Sequence, residues 1–224
     1  MLFSKNRKMK KSEKSGVSIY NFGIPAFRSL EGESTCPMAG VCAAGCYAMS
    51  GAYSWSNVKN AYETRYQATK KDDFHLIASS EIEKLKKKRG VKQLIIRIHD
   101  SGDFYSEAYF KKWLLIMLKN PDVKFYAYTK MIEFFKNRSL PNNFTLIFSL
   151  GGKQDSLIDQ SNERHSKVFQ SVKELKEAGY SDASNDDMIA LGKNKKIGLV
   201  YHGAKNFENT AWSRVDQKTA AIAA

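Results

Sequence analysis

Three cysteines fall within eleven residues, in the segment Cys36-Pro-Met-Ala-Gly-Val-Cys42-Ala-Ala-Gly-Cys46-Tyr. The spacing is C-x5-C-x3-C, and the chain has no other cysteine. A disulfide framework wants an even count and an oxidising compartment. Scattered burial of small thiols would not place all three in one loop of Ala39, Gly40, Ala43, Ala44 and Gly45, where the backbone is free to turn closely around something. Metal ligation by Cys36, Cys42 and Cys46 explains the grouping better. A structural zinc ion normally takes four Cys or His ligands. The fourth would have to come from afar, from His75, His99, His165 or His202. A [4Fe-4S] cluster can instead sit on three thiolates, leaving one iron open to a small-molecule ligand. The spacing therefore favours a cluster, with zinc as the alternative.

Polar or glycine residues recur where apolar runs end. The segment QLIIRIH (93–99) runs into Asp100-Ser101-Gly102-Asp103, either a turn leading to a helix cap or a binding loop. In VKFYAYT (123–129) the strand period of two puts Tyr126, Tyr128 and Lys130 on one side. Tyr128 and Lys130 are candidates to line a cavity, with Lys130 placed for an anionic group; the bland alternative is a tyrosine core. FTLIFSLGG (144–152) ends in Ser149, Gly151 and Gly152, and KIGLVYHG (196–203) ends in His202, a candidate acid–base residue. A single cavity would account for all four. No Walker loop, Rossmann fingerprint, HExxH or serine elbow occurs.

The elements that must position these residues follow from pattern. Strands are expected at 17–22, 93–99, 123–129, 144–152 and 196–203, with a long small-residue loop from 23 to 53. Helices are expected at 54–71, 73–89, 105–118 and 163–178, plus a short one over MIEFFKN. The apolar face of the second helix is expected to include Leu76, Ile77, Ile82 and Leu85. Apolar strands alternating with helices predict an α/β fold, a mostly parallel sheet in an open or partial (β/α) barrel with helices outside. Ligands gather at the C-terminal strand ends of such folds, where the cysteine loop would emerge.

The 224 residues are 42% hydrophobic and 26% charged, the balance of one globular domain. The expected division is a basic, disordered tail over 1–15, a single α/β iron–sulfur domain over 16–210, and a peripheral C-terminal tail over 211–224. The net charge is +13, and the tail carries Lys5, Arg7, Lys8, Lys10, Lys11 and Lys14 against Glu13. Such a tail can add weak, salt-sensitive nucleic-acid binding, although solubility alone explains it. No apolar run reaches the ~18 residues of a membrane span, and no signal peptide opens the chain, so a cytoplasmic protein without membrane association is expected.

The cysteine triplet after the first strand of a parallel barrel resembles the cluster loop of the radical S-adenosylmethionine superfamily, whose usual spacing is C-x3-C-x2-C. That resemblance implies that Ser101, Gly102 and Asp103 lie against the cofactor's amino group, and that S-adenosylmethionine is cleaved reductively to a 5′-deoxyadenosyl radical. The chain is more closely similar to the phage gene-product-88 family, on CPMAGVCAAGCYA (36–48), IRIHDSGDFYS (96–106), FYAYTK (125–130) and FSLGG (148–152). This resemblance implies a cluster-binding phage protein of the host cytoplasm. Two alternatives stand beside radical chemistry. One is an open iron acting as a Lewis acid in desulfidase or sulfur-transfer chemistry, with Asp103 or His202 moving the proton. The other is a non-enzymatic, cluster- or zinc-stabilised nucleic-acid-binding protein using the tail with Trp55, Trp113 and Trp212.

Overall fold

Runs of Ile, Phe, Tyr and Val become strands because branched and aromatic side chains pack well on a pleated, covered surface. In the computed structural model, which describes residues 1–13, 16–202 and 212, these are β1 (Val17–Phe22), β2 (Gln93–Ile98), β3 (Lys124–Thr129), β4 (Phe144–Ser149), β5 (His165–Phe169), β6 (Ser181–Asp182) and β7 (Lys196–Val200). They form one sheet in the order β1-β2-β3-β4-β5-β7-β6, with every neighbouring pair parallel. The sheet curves into a half-barrel with helices around it. These helices are α1 (Arg7–Ser12), α2 (Val41–Ala44), α3 (Ser56–Lys70), α4 (Phe74–Lys86), α5 (Glu107–Lys119), α6 (Ile132–Phe135) and α7 (Val172–Glu177). The expected α/β architecture is the one that forms.

Register divides the sheet's two faces. Ile96, Phe125 and Phe144 are cross-strand neighbours and join the larger core, with Phe74 and Ile82 of α4 and Phe110 and Trp113 of α5. Residues of the opposite parity, Ile95, Tyr126 and Ile147, belong to the other face, in a smaller core with Met9 of α1 and Ala190. The inward parity also holds Arg97 and Tyr128, so the concave face is polar towards the C-terminal strand ends.

Three expectations are corrected. The segment 163–178 is not one helix but β5 followed by α7, with the Ser171 side chain capping α7 through the Glu174 amide. His165 and Ser166 disguise the strand locally; pairing with β4 on one side and β7 on the other decides it. On α4 the buried stripe is Phe74, Ala78, Ile82 and Leu85, while Leu76 and Ile77 are exposed. The N-terminal segment is not a disordered tail. Phe3 and Met9 are fully buried, the Asn6 side chain caps α1, and the Glu81 carboxylate accepts from the amides of Leu2 and Phe3 at 2.8 and 3.0 Å. Lys8 reaches the buried Asp187 carboxylate at 2.9 Å. The segment's apolar residues at 2, 3 and 9 are what anchor it, hidden in the sequence by the lysines between them.

Of the expected C-terminal tail, only Trp212 lies among the described residues. Its side chain is buried rather than peripheral.

Candidate functional site

The cysteine loop is fastened to the end of β4. The amides of Gly40 and Cys42 both donate to the Gly151 carbonyl, at 3.3 and 3.2 Å, and Lys153 donates its amide to the Met38 carbonyl at 2.9 Å. Gly151 sits at φ +96°, a left-handed conformation that favours glycine. The Asp155 carboxylate fixes this turn by accepting from the amides of Gly151 and Gly152 at 2.7 and 2.8 Å. Residues 38–42 are thus held against the turn that follows β4.

The three thiols are half-buried and not disulfide-bonded. The neighbouring Cys46 thiol lowers the Cys42 pKa against the opposing effect of burial, and the Lys130 ammonium lowers it further. The Cys42 thiol raises the Cys46 pKa in turn, as does burial. Burial raises Cys36 to about 12, with the Asp103 carboxylate adding to the effect. All three therefore share one electrostatic environment. Among the described residues, no three His, Cys, Asp or Glu side chains meet closely enough to hold a metal ion as they stand.

The candidate strand-end residues take distinct positions. Asp103 is buried and accepts three hydrogen bonds: from Thr129 Oγ1 at 2.7 Å and the Phe104 amide at 2.8 Å on Oδ1, and from the Lys130 amide at 2.8 Å on Oδ2. It joins the loop after β2 to the end of β3. Burial raises its pKa despite these donors. Lys130 donates to Ser149 Oγ at 2.7 Å, joining β3 to β4. Tyr128 lies under the Arg97 guanidinium at 5.2 Å, and its hydroxyl has no hydrogen-bond partner among the described residues. Gly102 adopts φ +83°, and a Cβ there would stand 2.2 Å from Ile24 Cγ1. Ser101 packs beside it with a buried, unpartnered hydroxyl. So Asp103, Lys130 and Ser149 are brought together near the thiols, Tyr128 lies on the adjoining concave wall, and Ser101 and Gly102 pack towards the β1 side.

The histidines make no hydrogen bond to the cysteine loop among the described residues. His75 bonds the Asp72 carbonyl. His99 Nε2 meets Tyr109 Oη at 2.8 Å. His165 lies between the Glu163 carbonyl and Tyr180. His202 is exposed two residues past β7. Nor do the tryptophans make a common stacking platform: Trp113 is core, Trp55 is 62% exposed, and Trp212 is buried.

Several contacts of this region escaped sequence reasoning. Trp212 donates its indole N–H to the Gly45 carbonyl at 3.2 Å and has Lys130 Nζ 5.7 Å from its ring. A Cβ on Gly151 would stand 2.4 Å from the indole. No local pattern announced this contact across 167 residues. Arg97, by contrast, was visible as the one charge inside QLIIRIH. It pairs with Asp187 at 3.6 Å, below the mouth. Asp100 is a second hub: its Oδ2 accepts from Asn21 at 2.6 Å and Tyr62 at 2.9 Å, and its carbonyl accepts from the Tyr47 hydroxyl.

Comparison with known proteins gives a family assignment. The profile of the family described as gene product 88 matches residues 1–220. A stretch of 37 residues is 46% identical to the Gene 88 protein of Mycobacterium phage L5, covering 16% of this chain and 16% of that protein. No solved structure matches the chain.

Proposed function

The chain belongs to the gene product 88 family, and we propose that this protein binds a [4Fe-4S] cluster through Cys36, Cys42 and Cys46, leaving one iron open to a small ligand. The reading is carried by one observation. The loop bearing every cysteine of the chain is pinned by the Gly151 carbonyl just past the end of β4, with the Cys42 and Cys46 thiols near enough to shift each other's ionisation and Cys36 in their electrostatic reach.

The donor set fits such a group. Thiolates are the usual cluster ligands, and a cubane, being wider than one ion, asks its cysteines to surround a shared space rather than meet at a point. When bound, the cluster would supply an open iron for an amino, carboxylate or thiolate donor. The chain's own residues serve that space in separable ways. The Lys130 ammonium, held by Ser149, favours the anionic form of Cys42 and gives an incoming anion a counter-charge. Asp103, fixed by Thr129 and two amides, keeps the ends of β2 and β3 in place. Trp212 holds the loop at Gly45 through its indole N–H. As a phage-encoded protein it would act in the host cytoplasm.

Anaerobic purification followed by iron and acid-labile sulfide analysis tests the proposal. About four of each per chain is expected, falling sharply in the Cys42→Ala protein. Zinc without sulfide, or full iron content after all three cysteines are replaced, would overturn it. EPR of the dithionite-reduced protein then identifies the ligand class. A spectrum shifted by S-adenosylmethionine assigns the open iron to that cofactor; one shifted only by sulfide or thiols assigns it to sulfur chemistry.

A further inference from the structure

A separate cavity of about 210 Å³ opens on the β1 side of the molecule, walled by Leu30, Ala48, Met49, Tyr53 and Tyr62 and backed by Ser101. No cysteine lines it, and neither does Lys130. Its interior is mainly apolar. The hydroxyls of Tyr53 and Tyr62 both turn to the Asp100 carboxylate, at 3.4 and 2.9 Å, so their rings are left to form wall.

The rim supplies charge. Arg28, Lys59 and Glu63 stand there. Both Glu63 oxygens are already occupied, by the Leu30 amide at 2.9 Å and Gln67 at 2.8 Å. Arg28 donates to the Gly32 carbonyl at 3.0 Å. Lys59 is exposed and pairs with no carboxylate among the described residues. The opening is therefore net cationic, with one ammonium ready for an anion.

Size narrows the occupant. An apolar cavity of ~150 Å³ accepts benzene, so this one has room for a single aromatic ring and a short substituent. We propose that it binds a small aromatic carboxylate. The ring would lie among Met49, Tyr53 and Tyr62, and the carboxylate would reach Lys59 and Arg28. This proposal stands apart from the cluster reading, because none of the thiols takes part.

The test is titration of the metal-free full-length protein with 4-hydroxybenzoate, followed by calorimetry and saturation-transfer NMR. Saturable one-to-one binding is expected, with 4-hydroxybenzyl alcohol, which lacks the charge, binding at least about tenfold more weakly. Lys59→Glu should lower affinity for the acid by a similar factor. A Cys42→Ser protein should bind as the parent does. Absence of saturable binding, or affinity indifferent to Lys59→Glu, would overturn the proposal. So would binding lost in the Cys42→Ser protein, since that would place the probe at the thiols.

Discussion

The Lys130 ammonium donates to Ser149 Oγ at 2.7 Å, and this one bond joins the end of β3 to the end of β4 beside the cysteine loop. Ser149 is two residues from Gly151, whose carbonyl holds Cys42. The cation and the thiol it influences are thus held by the same stretch of chain.

Removing that cation should slow the thiol. In the metal-free, reduced protein, Lys130→Met should lower the rate of Cys42 alkylation by iodoacetamide near neutral pH, by about three- to tenfold, because less thiolate is present. Lys130→Arg should retain most of the rate. Peptide mapping of the alkylated protein reports it, and an unchanged Cys42 rate in Lys130→Met would contradict the assignment.

His99 should make stability fall in acid. Burial, with the Arg97 charge as a lesser cause, lowers its pKa from 6.5 to about 3. The native state therefore keeps the ring neutral while the unfolded chain takes up a proton. Stability from this group is complete above about pH 6.5 and is lost progressively towards pH 3. At pH 4.5 the loss is about 2–3 kcal/mol. Urea unfolding at pH 7 and 4.5 measures it. His99→Asn, chosen because Asn tolerates the residue's φ of +64°, should show a smaller difference between the two pH values.

Asp187→Asn should destabilise the fold by about 3–5 kcal/mol, since it leaves Lys8 and Arg97 facing each other without the buried carboxylate between them. Lys10→Ala, on the exposed side of α1, should change stability by no more than about 0.5 kcal/mol. Equal effects in urea unfolding would mean that α1 does not dock as described.

Asp103→Asn exchanges an acceptor for an amide NH2 that must face either the Lys130 amide or the Phe104 amide, donor against donor. A loss of about 2–3 kcal/mol is expected. Thermal unfolding of the metal-free protein checks it, and a neutral outcome would show that the two strand ends do not depend on this carboxylate.

Gly151→Ala should displace Trp212, because the added methyl would stand 2.4 Å from the indole. In a Trp55→Phe background, acrylamide quenching should rise as Trp212 becomes accessible. Unchanged quenching would mean that the indole does not seat on this turn.

The sequence by itself determined which runs become the main strands, because apolar, non-alternating segments such as QLIIRIH are stable only when covered on both faces. It also determined that the thiols share one loop, and that Tyr126 and Tyr128 share one side, since strand parity is a local property. What it left open depended on distant partners. The strand at 165–169 reads as helix until β4 and β7 pair with it. The lysine-rich N-terminus reads as solvated until Glu81 and Asp187, far along the chain, receive it. Trp212 meets Gly45 only because the sheet closes the intervening distance. Hydrogen bonds and ion pairs formed over such separations leave no periodic trace in the chain, so the clamps around the thiols were decided by tertiary structure alone.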